Sequence, residues 1–166
     1  MSDGDWQPGS IRRVGEAFEG RLERVFGHPR ETVWHALTDA NALAQWLAPG
    51  QIEPRVGGAV KIDFADSGTV IDSTVLAFEP ARLLSYSWSH PGAPERVLRW
   101  ELSDFAPGTR LVLTVAIPAG EDTAKACAGF EGHLEMLAAA LEGVPIKFPF
   151  DLFLATRASY RKLLEG

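Results

Sequence analysis

The feature that most constrains the fold is an alternation of apolar and polar residues between about residue 60 and residue 117. Val60, Ile62 and Phe64 alternate with charged residues, and turn signals such as Asp66-Ser67-Gly68 separate the alternating segments. The other segments are 70–78, 84–88, 98–102 and 111–115. Because successive side chains of a strand point to opposite faces, each segment predicts a strand with one apolar face. Strands that follow one another after short turns predict an antiparallel meander.

A sheet with one apolar face has to cover that face. A long helix is predicted at about 122–142, where apolar residues between Phe130 and Leu141 recur every three or four positions. It is the obvious cover, and two short helices predicted at 30–38 and 40–47 can close one end. Five aromatic residues are expected on the covered face, namely Phe64, Phe78, Tyr86, Trp88 and Trp100.

Both ends of the chain are expected to differ from this core. Residues 1–10 predict a loose tail, and 11–27 predict one strand with a bend or bulge, since Gly15 and Gly20 disfavour a helix. Beyond Gly143, residues 144–166 predict a C-terminal extension that ends in an amphipathic helix. The 166 residues therefore predict a single domain with its core at 11–143.

Composition excludes several function classes. The net charge of −6, without any long run of Lys or Arg, argues against nucleic-acid and anionic-membrane partners. A single cysteine, Cys127, allows no internal disulfide. We expect no signal peptide, because residues 1–10 lack a basic start followed by an apolar stretch, and no membrane insertion, because no apolar run is long enough for a span. A cytoplasmic location is expected by elimination.

The residue types give little sign of catalysis. The histidines at positions 28, 35, 90 and 133 have no metal-ligand spacing to one another or to the cysteine, so we expect neither a metal nor a cofactor. Nucleophile-elbow, phosphate-loop and dinucleotide motifs are absent, and no catalytic residue is assigned. His133, beside Leu134, either edges the covered space or is a solvated helix residue.

The strand at 70–78 leaves two alternatives open. Asp72 and Thr74 share parity with Val70, Leu76 and Phe78. If that face points inward, the two polar side chains enter the covered space and need partners there. If a bulge changes the register, they point outward instead.

Six short segments, taken in order, resemble a known family. They are His28–Asp39, Leu43 with Trp46, Val56–Gly58, Phe78–Leu83, Gly108–Leu111 and Gly129–Phe130. These segments resemble the activator-of-heat-shock-protein-90-ATPase homologues of the START-like, or SRPBCC, helix-grip superfamily. The resemblance as a whole covers about residues 20–143.

This resemblance implies an α+β helix-grip fold of order β-α-α-β-β-β-β-β-β-α, in which a curved antiparallel sheet wraps a long C-terminal helix. It also implies a cavity beneath that helix, as in many members. The pattern alone instead favours aromatic side chains that fill the space completely. The family offers no shared catalytic triad or metal site to carry over.

These expectations favour non-catalytic binding of a small hydrophobic molecule. The predicted ligand-binding residues are Trp46, Phe64, Phe78, Tyr86, Trp88, Trp100, Phe130 and His133, with Trp46 near the entrance. Trp46 could instead anchor the two short helices to the sheet. Two alternatives stay open: a cochaperone-like domain acting on a heat-shock ATPase, and a START-like cyclase or hydrolase using Asp72 and His133. The extension at 144–166 could also form a homodimer.

Overall fold

The computed structural model describes residues 9–64, 69–88 and 96–165. The predicted turn at Asp66–Gly68, the stretch 89–95 and the first eight residues of the predicted tail lie outside the described residues.

In the described part of the chain, the strands form one antiparallel sheet of order β1-β2-β8-β7-β6-β5-β4-β3. The strands are β1 (Ser10–Val14), β2 (Ala17–Phe26), β3 (Gly50–Ile52), β4 (Ala59–Phe64), β5 (Thr69–Glu79), β6 (Leu83–Ser87), β7 (Val97–Phe105) and β8 (Gly108–Ile117). Strands β3 to β8 pair in chain order, so the predicted meander is confirmed. Strand β2 then pairs with β8, which places the N-terminal part of the chain beside the last strand.

The helices are α1 (Arg30–Thr38), α2 (Ala40–Trp46), α3 (Thr123–Leu141) and α4 (Phe150–Glu165). All four agree with the predicted helices. The carboxylate of Asp39 accepts a hydrogen bond of 3.1 Å from the backbone nitrogen of Ala42, so one residue ends α1 and caps α2. None of the described helices is both long and apolar enough to cross a membrane.

The prediction of one bent strand over 11–27 is wrong, because the segment forms a hairpin. Strands β1 and β2 pair antiparallel, with Val14 opposite Ala17. Gly15 lies in the turn at a φ of 64°, a left-handed conformation that glycine adopts without steric cost. The predicted loose tail is likewise wrong at residues 9 and 10, since β1 begins at Ser10 and the Gly9 nitrogen donates to the Tyr160 hydroxyl (2.8 Å).

The open question about strand 70–78 is resolved by a bulge in β5. Its pairing with β6 shifts register between Val75 and Ala77. Before the bulge, Ile71 and Val75 are buried, whereas Val70 is exposed. Asp72 consequently lies on the outer face, where its carboxylate pairs with Lys61.

Helix α3 packs directly on the half of the sheet formed by β2 and β8. Its Leu134 and Leu137 are fully buried in the same core as Leu22 and Leu113. The pair α1 and α2 also contacts α3. The long helix is therefore held by one half of the sheet and by the short helices at one end.

A buried polar network ties α4 to α3 and to the sheet. Glu131 of α3 is 0% exposed, and its carboxylate accepts from Arg24 of β2 (2.7 Å) and from the Tyr160 hydroxyl of α4 (2.8 Å). Burial raises the pKa of Tyr160, and the neighbouring Glu131 raises it further, so the phenol stays protonated and remains a donor. A buried carboxylate needs such partners, because water cannot reach it.

We predict that Tyr160→Phe lowers the free energy of unfolding by about 1–3 kcal/mol, because it leaves the buried Glu131 carboxylate one donor short. Urea denaturation followed by circular dichroism measures this difference. The control is Ser159→Ala on the same helix, whose hydroxyl makes only a 3.3 Å contact with a helix carbonyl. A Tyr160→Phe protein as stable as the control would show that the network does not hold α4.

Candidate functional site

A space of about 470 Å³ lies between α3 and strands β4 to β7, whereas α3 packs most closely on β2 and β8. Its sheet side is formed by Phe64, Ile71, Tyr86, Trp88 and Leu98. Its helical side is formed by Lys125, Ala126, Gly129, Phe130 and His133. Leu47, Glu121, Asp122 and Phe153 complete the lining.

The space exists partly because the helix presents small residues to it. Ala126, Gly129, Phe130 and His133 are spaced by three, one and three, so they share one face of α3. A Cβ atom added at Gly129 would have no atom within 4 Å of it. At Gly132, by contrast, an added Cβ would lie 2.6 Å from the Phe148 ring. The room beside Gly129 therefore remains open, whereas the room beside Gly132 is filled by the Phe148 ring of the C-terminal extension.

Edge-to-face ring contacts set the shape of the lining. Trp88 and Phe130 have centroids 5.3 Å apart, and Phe64 and His133 have centroids 5.8 Å apart. The Arg96 guanidinium lies over the Trp88 ring at 5.1 Å and binds both oxygens of Glu121, at 2.9 and 2.5 Å. This ion pair holds one charged edge of the space in place.

His133 is the ionisable side chain with the most constrained geometry in the lining. Its Nδ1 lies 3.0 Å from the carbonyl oxygen of Trp46. Since a carbonyl can only accept, Nδ1 carries the hydrogen and donates it. Burial lowers the pKa of His133 below its usual value, and the hydrogen bond to Trp46 only partly offsets that effect. The ring is therefore neutral near pH 7, with the lone pair on Nε2.

Five of the predicted site residues line this space together, namely Phe64, Tyr86, Trp88, Phe130 and His133. Trp46 does not. It is 1% exposed, its Nε1 donates to the Ala36 carbonyl (2.7 Å), and its ring meets Trp100 edge-on at 5.6 Å. It anchors the two short helices, which is the alternative left open by the sequence.

Trp100 and Phe78 are also placed elsewhere. Trp100 is buried beneath Trp46, where the short helices cover the sheet. Phe78 follows the bulge in β5 and packs against Trp34 of α1, with centroids 5.6 Å apart. Both rings cover the end of the sheet that α1 and α2 close.

Several lining residues were missed by sequence reasoning. Ile71 was not assigned to either face, because the orientation of the strand at 70–78 was left open. Phe153 lies in the extension, and nothing in the pattern related it to the sheet. Gly129 carried a usable signal, since a glycine within the apolar face of a helix leaves room opposite it.

The arrangement brings together no acid–base pair of the kind considered for a cyclase or hydrolase. Asp72 lies on the outer face with Lys61, whereas His133 lines the space. Cys127 is buried beside Glu131, and burial followed by that carboxylate raises its pKa to about 12, so the thiol is unreactive near neutral pH. Across the described ranges, no group of three or more His, Cys, Asp and Glu side chains is arranged to hold a metal ion.

Comparison with known proteins gives a family and a set of similar folds. The family model described as "Activator of Hsp90 ATPase homolog 1-like protein" matches residues 27–142. No curated protein sequence matches the chain.

Among solved structures, CalU16 from Micromonospora echinospora is 23% identical over 94% of this chain and 95% of its own, with a TM-score of 0.78. The protein encoded by BPP1335 of Bordetella parapertussis is 26% identical over 93% and 90%, with a TM-score of 0.71. DynU16, from the dynemicin biosynthetic locus, is 31% identical over 76% of this chain and 48% of its own, with a TM-score of 0.70. These likenesses confirm the predicted helix-grip fold.

We predict that acid destabilises the wild-type protein more than His133→Asn. The unfolded histidine titrates near pH 6.5 and the folded one at a lower pH, so the unfolded chain binds the proton first. The stability contributed by neutral His133 is complete above pH 6.5 and falls as the pH drops through that value. Urea denaturation between pH 7.5 and pH 5 tests this. The other histidines are present in both proteins, so parallel stability curves would contradict a buried neutral His133.

Proposed function

The chain belongs to the family of activator of Hsp90 ATPase homolog 1-like proteins, and from that premise we propose that it binds a small hydrophobic molecule between the sheet and α3. The proposal rests on one observation, the space of about 470 Å³ with a mainly apolar and aromatic lining. In this proposal the protein holds the molecule and carries out no chemistry on it.

The size of the space supports a ligand. Protein interiors are packed so densely that voids larger than a water molecule are few. Ligand pockets usually measure about 300–1,000 Å³ and combine apolar walls with a few polar groups. The space beneath α3 falls in this range, and its lining joins aromatic rings such as Trp88 and Phe130 to a few polar residues that include His133.

The chemistry of the lining supports binding over catalysis. Among the lining residues, His133 has no carboxylate partner on its ring, because its Nδ1 donates to a backbone carbonyl. Glu121 and Asp122 are paired with Arg96 and Arg157, respectively. A general acid–base mechanism needs paired groups that reach one reacting atom, and no described carboxylate of the lining is paired with His133.

The relatives add limited support for a small-molecule ligand. DynU16 comes from the dynemicin biosynthetic locus. A heat-shock ATPase partner and a homodimer remain predictions, since no contact of the described residues bears on either. A cytoplasmic location likewise remains a prediction.

We predict that Gly129→Leu weakens binding of pyrene at least tenfold, because the new side chain projects into space that is open in the wild type. Titration of pyrene fluorescence with protein measures the Kd. Folding should be preserved or improved, since replacing a glycine inside a helix removes a cost of about 0.5–1 kcal/mol.

Gly129→Ala is the matched control. It increases the helix propensity by at least as much as leucine does but adds only one methyl group. We therefore expect its Kd for pyrene to stay within about threefold of the wild-type value. Wild-type protein that does not bind pyrene, or a Gly129→Leu protein that binds it equally well, would refute a ligand site beneath α3.

A further inference from the structure

His133 offers a hydrogen-bond acceptor with a fixed direction inside the space beneath α3. Its Nδ1 donates to the carbonyl of Trp46, and that residue is itself held in the core by the bond from its Nε1 to Ala36. The partner of the imidazole is therefore a rigid, buried backbone group. This bond determines the tautomer and leaves a lone pair on Nε2.

The ring cannot easily turn away from this orientation. Phe64 meets it edge-on at 5.8 Å, and Phe148 lies tilted against it at 5.3 Å. Phe148 is in turn lodged against Gly132, one residue before His133. Rotation of the imidazole would therefore disturb packing on both sides and break the bond to Trp46.

No described residue forms a hydrogen bond with Nε2. It also does not belong to the buried side-chain nitrogens that lack both a partner and access to solvent. Because His133 belongs to the lining and its Nδ1 is directed at Trp46, Nε2 is the ring nitrogen left for a ligand to meet. A ligand that places an apolar atom there would remove water from this nitrogen and put nothing in its place.

The charged lining residues lie at or just before the N-terminal end of α3, away from His133. Lys125 is eight positions before His133, which corresponds to about 12 Å along α3. Glu121 and Asp122 are close to Lys125 in the chain and carry their own arginine partners. Around the imidazole, the lining is apolar and aromatic, so a neutral donor suits Nε2 better than an ionic group.

We propose that His133 selects ligands that carry a neutral hydroxyl group, a phenol or an alcohol, on an apolar body, with the O–H donating to Nε2. This inference rests on the proposed function, because it assigns a chemical feature to the molecule held in the same space. The apolar body would lie against Phe64, Phe130 and Trp88, and the hydroxyl would donate to an acceptor that no described residue occupies.

The test compares two probes built on the same aromatic ring system, 1-hydroxypyrene and 1-methoxypyrene, which differ by one methyl group, by fluorescence titration at pH 7. The hydroxyl can donate to Nε2, whereas the ether cannot. We expect the wild-type protein to bind 1-hydroxypyrene about tenfold more tightly than 1-methoxypyrene, which equals about 1.4 kcal/mol.

Two substitutions separate the acceptor from the rest of the ring. In His133→Asn, the amide nitrogen replaces Nδ1 and can still donate to Trp46, but no acceptor remains at the position of Nε2. We expect the tenfold preference to fall to about one, with the Kd for 1-methoxypyrene within about threefold of wild type. In His133→Gln, the amide reaches the Nε2 position and its oxygen can accept, so part of the preference should return.

The outcomes distinguish this inference from the proposed function. Equal binding of both probes by the wild-type protein would overturn the role of His133 and leave the binding function standing. A preference that persists in His133→Asn would overturn it too, because another group would then accept the hydroxyl. If the wild-type protein binds neither probe, the binding function fails and the inference with it. Circular dichroism of each variant verifies that the fold is retained.

Discussion

The contact between α3 and the inner face of the sheet is the interaction on which the other features depend. A sheet with one apolar face is stable in water only when something covers that face. Helix α3 covers the half formed by β2 and β8, where Leu134 and Leu137 meet strand side chains such as Leu22. The short helices close one end through Trp46 and Trp100. The remaining half, from β4 to β7, is covered only in part, and the space of about 470 Å³ lies there.

The incomplete cover has a definite cause in side-chain size. Where α3 faces β2, its residues fill the gap between helix and strand. Where it faces the far strands, Ala126 and Gly129 leave room that rings such as Tyr86 do not fill. The stability of the domain then depends on contacts elsewhere. One of these is the network of Glu131 with Arg24 and Tyr160, which attaches α4 to α3 and to β2. The C-terminal extension also contributes to the space itself, since Phe153 belongs to its lining.

Much of the fold could be predicted, and the errors share a physical origin. The meander and all four helices follow from local periodicity and from capping residues such as Asp39. The hairpin at Gly15 and the bulge in β5 were missed or left open, because each depends on the backbone of a neighbouring strand. Five of the eight predicted site residues line the space, whereas Phe78 packs against Trp34 at the end of the sheet that α1 covers.

By itself the sequence determined which residues belong to strands and helices, which faces are apolar, and that an aromatic surface needs a cover. These are properties of a residue and its near neighbours. Only the tertiary structure decided where the cover ends, that Trp46 anchors a helix pair, and that the Nδ1 of His133, a residue of the lining, is bound to the Trp46 carbonyl. Those outcomes depend on contacts between residues far apart in the chain, such as His133 with Trp46, and local spacing does not encode them.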